Sequence, residues 1–299
     1  MAAQLPDVAL STPVADTPLS AVPESGRRGR GALHSLDIWI PAGFLILMIA
    51  ACYLWPLVYH MPPPVGGSIL AANLPPLSPG HIFGTDPVGN DILSRIFYGG
   101  RVSFEVGIST TLIGLVIGGL LGTVAGYRGG ATDAVISRVL DVLIAFPSLV
   151  LALAIAEALG PSELHTIWAL SFYSIPLFGR LARAATLPLG EQTFMLAARV
   201  SGTKARRVLM RHVVPNILPQ LMTFALLGVG VAIILEGALS FLGLGVPAPG
   251  PSWGNMIALG FQTMTSQPDL VLIPSAFLCA TVIAINVLGD ALRARGATR

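Results

Sequence analysis

Residues 183–212 read RAATLPLGEQTFMLAARVSGTKARRVLMRH. Six basic side chains, Arg183, Arg199, Lys204, Arg206, Arg207 and Arg211, bar this stretch from hydrocarbon. Each such charge at mid-membrane costs about 2.5–3.5 kcal/mol even on the mildest scale. On either side the chain turns apolar: 164–182 ahead, a shorter run broken by Pro176, and 213–236 behind. A helix needs about 20 apolar residues to cross a bilayer core. The basic stretch is therefore a polar loop between two membrane crossings. It predicts two short helices of its own, 191–200 and 203–213, hinged at Ser201 and Gly202.

Outward from the loop the pattern repeats. Residues 38–59 (IWIPAGFLILMIAACYLWPLVY) carry no charge and place Trp39, Tyr53, Trp55 and Tyr59 toward the ends, where amphipathic rings favour the interface. Residues 106–126 and 134–156 form two further runs, the latter with Arg138 and Asp141 in its first turns, and 270–290 forms the last. Six spans and an all-α polytopic membrane fold follow. Residues 241–268 are uncharged but dense in Gly and Pro, which suits a folded loop at the interface. Residues 1–34, rich in Pro, Ser and Ala, suit a disordered cytoplasmic tail ending in a basic cluster, and 35–299 a single transmembrane domain. Composition agrees: the 299 residues are 54% hydrophobic and 11% charged, with a mean hydropathy of +0.76, against about 25% charged in soluble domains. A net charge of +2 is too small to argue for nucleic acid, and Cys52 and Cys279, both inside apolar runs, suit small buried hydrophobes rather than a disulfide framework.

Charge sets the orientation. With the N-terminus inside, only Arg95 and Arg101 of the 17 basic residues fall outside. Both chain ends are then cytoplasmic, 60–100 is extracytoplasmic and 183–212 faces the cytoplasm.

Local patterns add detail. Gly114, Gly118, Gly122 and Gly126 recur every fourth residue and make a smooth stripe for close helix packing. Asp86, Gly89 and Asp91 share the spacing of a cation loop, yet a capped turn with Asp91 at the N-terminus of a helix over 90–100 accounts for them better. Asp141 can pair with Arg138 one turn earlier. The prolines of 247–251 suit a rigid turn anchored by Trp253. Glu105, Asp141 and Glu236 fall near span ends, whereas an ion-coupled transporter working alone would place an acid at mid-span. His34, His60, His81, His165 and His212 have no metal-ligand spacing. Lys204, the single lysine, follows Thr203 and cannot complete a phosphate-binding loop. No catalytic residue, metal site or means of hydrolysing ATP is expected, and an intramembrane enzyme finds no supporting constellation.

Within the loop, Ala197, Ala198, Gly202, His212, Pro215 and Asn216 stand at the spacing A-A-x3-G-x9-H-x2-P-N. This string resembles the coupling loop of membrane subunits of ABC importers. Leu196 stands where that family often has Glu, so an apolar contact replaces a charged one. Further strings narrow the resemblance to C-type permeases of dipeptide and oligopeptide importers. They are G84-T85-D86-x2-G89-x-D91-I92-L93-S94-R95 (with Asn90 where Arg is common), G126-Y127-x-G129-G130 with Asp133, F146-P147, L239-S240-F241-L242-G243-L244-G245, P251-S252-W253-G254-N255, and N286-x2-G289-D290-x-L292-R293. They run in family order over about 35–295.

The resemblance implies a type I importer permease of six spans in a bacterial plasma membrane. The loop, with Leu196, Ala197, Ala198, Gly202, Lys204, Arg206, Arg207, His212, Pro215 and Asn216, would dock a cytoplasmic ATPase. Asp86, Gly89, Asp91 and Arg95 would belong to an outer segment receiving substrate from a binding protein. Partners would be a homologous B-type permease, two ATPase subunits holding ATP and Mg²⁺, the extracytoplasmic binding protein and the lipid bilayer, with no nucleic acid. The cargo would be a di- or oligopeptide; nickel chelates or other small solutes are the alternative on the same machinery, and a stand-alone secondary transporter is the alternative class.

Overall fold

The computed structural model describes residues 30–58 and 62–296. The tail 1–29 lies outside the described residues, but helix α1 (Arg30–Val58) already begins at Arg30. The last five residues of the expected tail 1–34 are thus helical. Helix α2 (Ile92–Arg128) runs for 37 residues with a widened π turn at Gly114–Gly118. Then come α3 (Gly130–Ala145), α4 (Ser148–Leu159), α5 (Glu163–Thr186), α6 (Thr193–Val200), α7 (Ala205–Phe241), α8 (Trp253–Phe261) and α9 (Asp269–Gly296). Among the described residues there is no strand beyond two isolated bridges, so the all-α expectation holds.

Four helices are long and apolar enough to cross a membrane, or five when α3 and α4 count as one broken span. The expected six is not reached on that measure, for two physical reasons. The run 134–156 is not one helix: it bends by 84° at Phe146-Pro147. Proline disfavours the helical conformation of the residue before it, and Phe146 is extended at φ −82°, ψ 134°. The run 164–182 does form a helix, the 24-residue α5, but it is polar for a span. Thr166, Ser171 and Ser174 are buried inside the protein rather than facing lipid, and the hydroxyls of Thr166 and Ser171 donate back to the carbonyls of Ser162 and Ile167.

The glycine stripe explains how α5 reaches the centre. A Cβ at Gly114 would strike the Ser174 side chain, at Gly118 the Ile175 carbonyl, and at Gly122 the Gly179 carbonyl. At Gly126 it would meet Thr186 at 2.9 Å. The partners climb along both helices together, so α2 and α5 run parallel with their backbones nearly touching. The chain between them must then return across the same thickness, and the bent pair α3–α4 makes that return. Arg183 forks onto Asp133 at 2.5 and 2.8 Å and fastens α3 to α5. Asp141, expected to pair with Arg138, instead meets Arg180 at 2.6 Å.

Around α2, α5 and α7 the remaining helices close four apolar clusters. In one, Cys52 of α1, Phe104 of α2, Ile233 of α7, Trp253 of α8 and Ile285 of α9 meet. Trp253 is fully buried and donates from Nε1 to the Ile96 carbonyl at 3.0 Å, so the expected anchor of the proline-rich turn is in place. Cys52 is buried as expected, whereas Cys279 is exposed on α9, where an apolar helix face would meet lipid.

Candidate functional site

The loop between α5 and α7 is held rigidly. After α5 a 3₁₀ turn (Leu187–Glu191) reverses the chain into α6. Met195 on α6 is fully buried among Ala182, Val208, Val213, Ile217 and Leu221, a core shared by α5 and α7. Ala198 packs against the same core, while Ala197, on the next helical position, is exposed. The two alanines therefore divide their work: one seats the helix, the other leaves its outer surface flat.

The end of α6 is a glycine cap. Gly202 has φ +67°, and the Thr203 N–H donates to the Ala198 carbonyl at 3.1 Å, which is the bond pattern of a Schellman motif. No heavy atom lies within 4 Å of a Cβ placed at Gly202, so backbone geometry and not crowding demands glycine there. The predicted hinge is thus present. Its second arm is not a separate helix 203–213, because Ala205 already begins α7, which continues to Phe241. Pro215 accordingly sits inside a helix rather than in its first turn. The π turn Leu209–Val213 just ahead absorbs the missing N–H, and Asn216 Nδ2 donates to the His212 carbonyl at 2.7 Å.

What remains is a face of exposed groups: Ala197, Gly202, Lys204, Arg206, Arg207 and Arg211, with Pro215 and Asn216 beyond and His212 half-buried. Leu196 lies on α6, but its side chain is outside those described. The sequence reading passed over Val200, which is 91% exposed at the end of α6, and Met210, half-exposed on the first turns of α7. Both are ordinary residues in an amphipathic pattern, and only the fold reveals that they point away from every core. A flat alanine, two apolar side chains and four cations on a rigid frame form a surface suited to another protein.

The outer segment is built differently. The Asp86 carboxylate accepts from the N–H groups of Val88 (3.0 Å) and Asn90 (2.8 Å) and from Asn90 Nδ2 (2.8 Å), with Arg95 Nε at 3.6 Å. Asp91 caps α2 by accepting from Ser94 N–H at 2.8 Å and lies 2.8 Å from His81 Nδ1. The protein's own donors thus occupy both carboxylates, as the capped-turn reading requires. Arg95, 3% exposed, donates to the carbonyls of Pro64 (2.9 Å) and Pro249 (3.4 Å). Gly89, at φ +80°, is pressed against the Ser68 carbonyl. These four residues form one knot that ties 62–68, 84–95 and the proline-rich loop together.

A second knot was not visible in the sequence. Glu236 is fully buried, five residues before the end of α7. Ser103 of α2 donates to its Oε2 at 2.9 Å and Ser240 to its Oε1 at 2.7 Å, and Trp253 N–H of α8 donates to Ser103 Oγ at 3.4 Å. One carboxyl group so joins α2, α7 and α8.

Apolar helices long enough to cross a bilayer, a rigid basic loop and a knotted outer segment define an integral-membrane protein, and comparison with known proteins gives its family. Residues 118–297 match the family described as binding-protein-dependent transport system inner membrane component. The dipeptide transport system permease protein DppC of Alkalihalophilus pseudofirmus is 43% identical over 213 residues, covering 71% of this chain and 70% of that protein. The glutathione transport system permease protein GsiD of Pectobacterium atrosepticum is 38% identical over 256 residues, covering 85% and 84%. The oligopeptide transport system permease protein OppC of Bacillus subtilis is 38% identical over 226 residues, covering 76% and 74%. Among solved structures, a chain of the inward-facing MetNI methionine ABC transporter shares the fold with a TM-score of 0.54 at 16% identity, over 67% of this chain and 95% of that one. This chain belongs to the family of inner membrane components of binding-protein-dependent transport systems. It is a multi-pass permease subunit of the C type, without an ATPase site of its own, and works with partner subunits that include an ATPase.

Proposed function

We propose that this chain forms half of the translocation pathway of an ATP-driven importer of di- and oligopeptides, beside a homologous B-type permease. An extracytoplasmic binding protein delivers the peptide, and two cytoplasmic ATPase subunits hold ATP and Mg²⁺. Their closure pushes on the face formed by Ala197, Val200, Gly202, Lys204, Arg206, Arg207 and Arg211. Because Met195 and Val208 seat that face on a core shared by α5 and α7, a push on α6 moves both helices as a body. The observation that carries the reading is this capped, buried-root, exposed-face helix between two long helices. The peptide cargo rests on the relatives, whose names specify dipeptides, oligopeptides and glutathione.

The test is Gly202→Asp in the assembled transporter. Asp tolerates φ +67° better than most residues, so the substitution acts chiefly by adding a negative charge beside four cations. Peptide taken up per ATP hydrolysed should fall by about tenfold, equivalent to roughly 1.4 kcal/mol of coupling, with the chain still inserted. Unchanged uptake per ATP would remove the loop from the coupling path.

A further inference from the structure

Between α5 and α7 lies a slot with α2 as its floor. Leu170, Leu177 and Leu181 of α5 form one wall, Phe224, Val231 and Leu235 of α7 the other, and Thr110 lies on the floor. Leu170 and Leu235 belong to one apolar cluster at the outer end. Each wall runs eleven residues along its helix, so the slot is about 16 Å long, roughly half of a hydrocarbon core about 30 Å thick. Its volume is about 170 Å³. An apolar cavity of about 150 Å³ takes up benzene, so one side chain the size of phenylalanine or leucine fits.

The floor carries a polar group with nothing to bond. Thr110 is 2% exposed, and its Oγ1 has no hydrogen-bond partner among the described residues. Thr123, Thr166, Ser171 and Thr186 are also buried, and each donates to the carbonyl four residues earlier. Thr110 stands instead just ahead of the π turn Gly114–Gly118, a widening frequent at functional sites. A buried hydroxyl left unpaired is costly. An acyl chain in the slot would leave it so, whereas a peptide brings N–H and C=O groups.

The face of α7 that walls the slot does not turn to lipid. Gln220, Phe224, Leu227 and Val231 share one helical face, and Gln220 is exposed. It lies nine residues, about 13 Å, beyond Arg211 and within the apolar run 213–236. A polar side chain at that depth turns to protein or to a water-filled route. Both walls are also rooted in the basic loop, since α5 and α7 share the core around Met195. On the importer reading a push on the loop moves both helices as a body, so the slot is carried intact and its mouth turns with them. A permanent contact with a neighbouring subunit would have to break at every stroke, whereas a cargo is there to be held and released.

Resting on that reading, we infer that the slot is a cargo site that takes one bulky apolar side chain of a transported peptide. The Thr110 hydroxyl and the Gln220 amide serve the peptide's polar backbone. The permease thereby sorts peptides by side chain, in addition to any selection made by the binding protein.

The assembled transporter in liposomes, supplied with binding protein and labelled Ala-Phe-Ala or Ala-Ala-Ala, tests this, with co-purification of the partner subunits confirming assembly of each variant. Val231→Trp fills the slot from its half-exposed mouth and should lower uptake of Ala-Phe-Ala about tenfold relative to Ala-Ala-Ala. Val231→Ala leaves room and should keep that ratio within about threefold of wild type. A wild-type ratio in Val231→Trp, whether both rates fall or neither does, overturns the slot, and so does a Val231→Ala variant as selective as the tryptophan one. A tripeptide with a leucine-sized diazirine side chain should label α5 or α7 of this chain on illumination; labelling confined to the partner permease overturns the assignment. A dye on Leu177→Cys, in a Cys279→Ser background, should escape quenching by lipids with brominated acyl chains, and strong quenching would give the slot to lipid. A wild-type transporter that takes up neither tripeptide would sink the importer reading itself, and the slot would fall with it.

Discussion

Gly122 faces the Gly179 carbonyl so closely that no Cβ fits between α2 and α5. Gly122→Ala must therefore push two backbones apart, and overpacking of this kind costs about 1–3 kcal/mol. Unfolding of the purified chain in detergent, by heat or by SDS, should show the loss. Gly43→Ala on α1, where nothing lies within 4 Å of the new Cβ, should show none. The stripe was legible because four glycines at fourfold spacing have few other uses; its partner helix was not, since α5 meets the stripe mainly through backbone atoms. Glu236 is the opposite case. Its hydrogen bond to Ser103 spans 133 positions, and local spacing carries no trace of so distant a partner. Glu236→Gln keeps a donor and an acceptor for the serines and should cost less than about 1 kcal/mol. Glu236→Ala leaves buried hydroxyls unpaired, at about 1–3 kcal/mol. The same unfolding assay separates the two variants.

At the level of elements, hydropathy located the helices but misjudged their ends. The first 14 residues of α2 escape a search for apolar runs because Arg95, Arg101 and Glu105 interrupt them, although Asp91 marks the true beginning. Conversely, 134–156 is apolar enough to hide the break at Pro147, since hydropathy does not register a lost N–H. The polar faces of α5 lower its apparent fitness as a span while fitting it for the centre of the bundle. The glycine cap of α6 carries a prediction at this scale. Gly202→Ala places a Cβ in left-handed geometry at a cost of about 1–2 kcal/mol, whereas Gly202→Asn tolerates that geometry. Protease cleavage between α6 and α7 should quicken in the alanine variant and stay near wild type in the asparagine variant.

For the whole molecule, the central claim is mechanical. In the proposed function the face of α6 meets the ATPase, and its buried root transmits the movement to α5 and α7. Sparse charge showed where the polar loop lies, and the resemblance named its task. The rigid seat provided by Met195 and the outward Val200 emerged only from the packing of three distant segments. The most direct measurement is site-specific cross-linking in native membranes from Ala197→Cys. Cys279→Ser removes the exposed native thiol, and Cys52 is buried. A short bifunctional reagent should join residue 197 to the ATPase subunit, with a yield that changes when ATP is bound. Free labelling of residue 197 by a membrane-impermeant maleimide in the assembled complex, with no cross-link in any nucleotide state, would contradict the account.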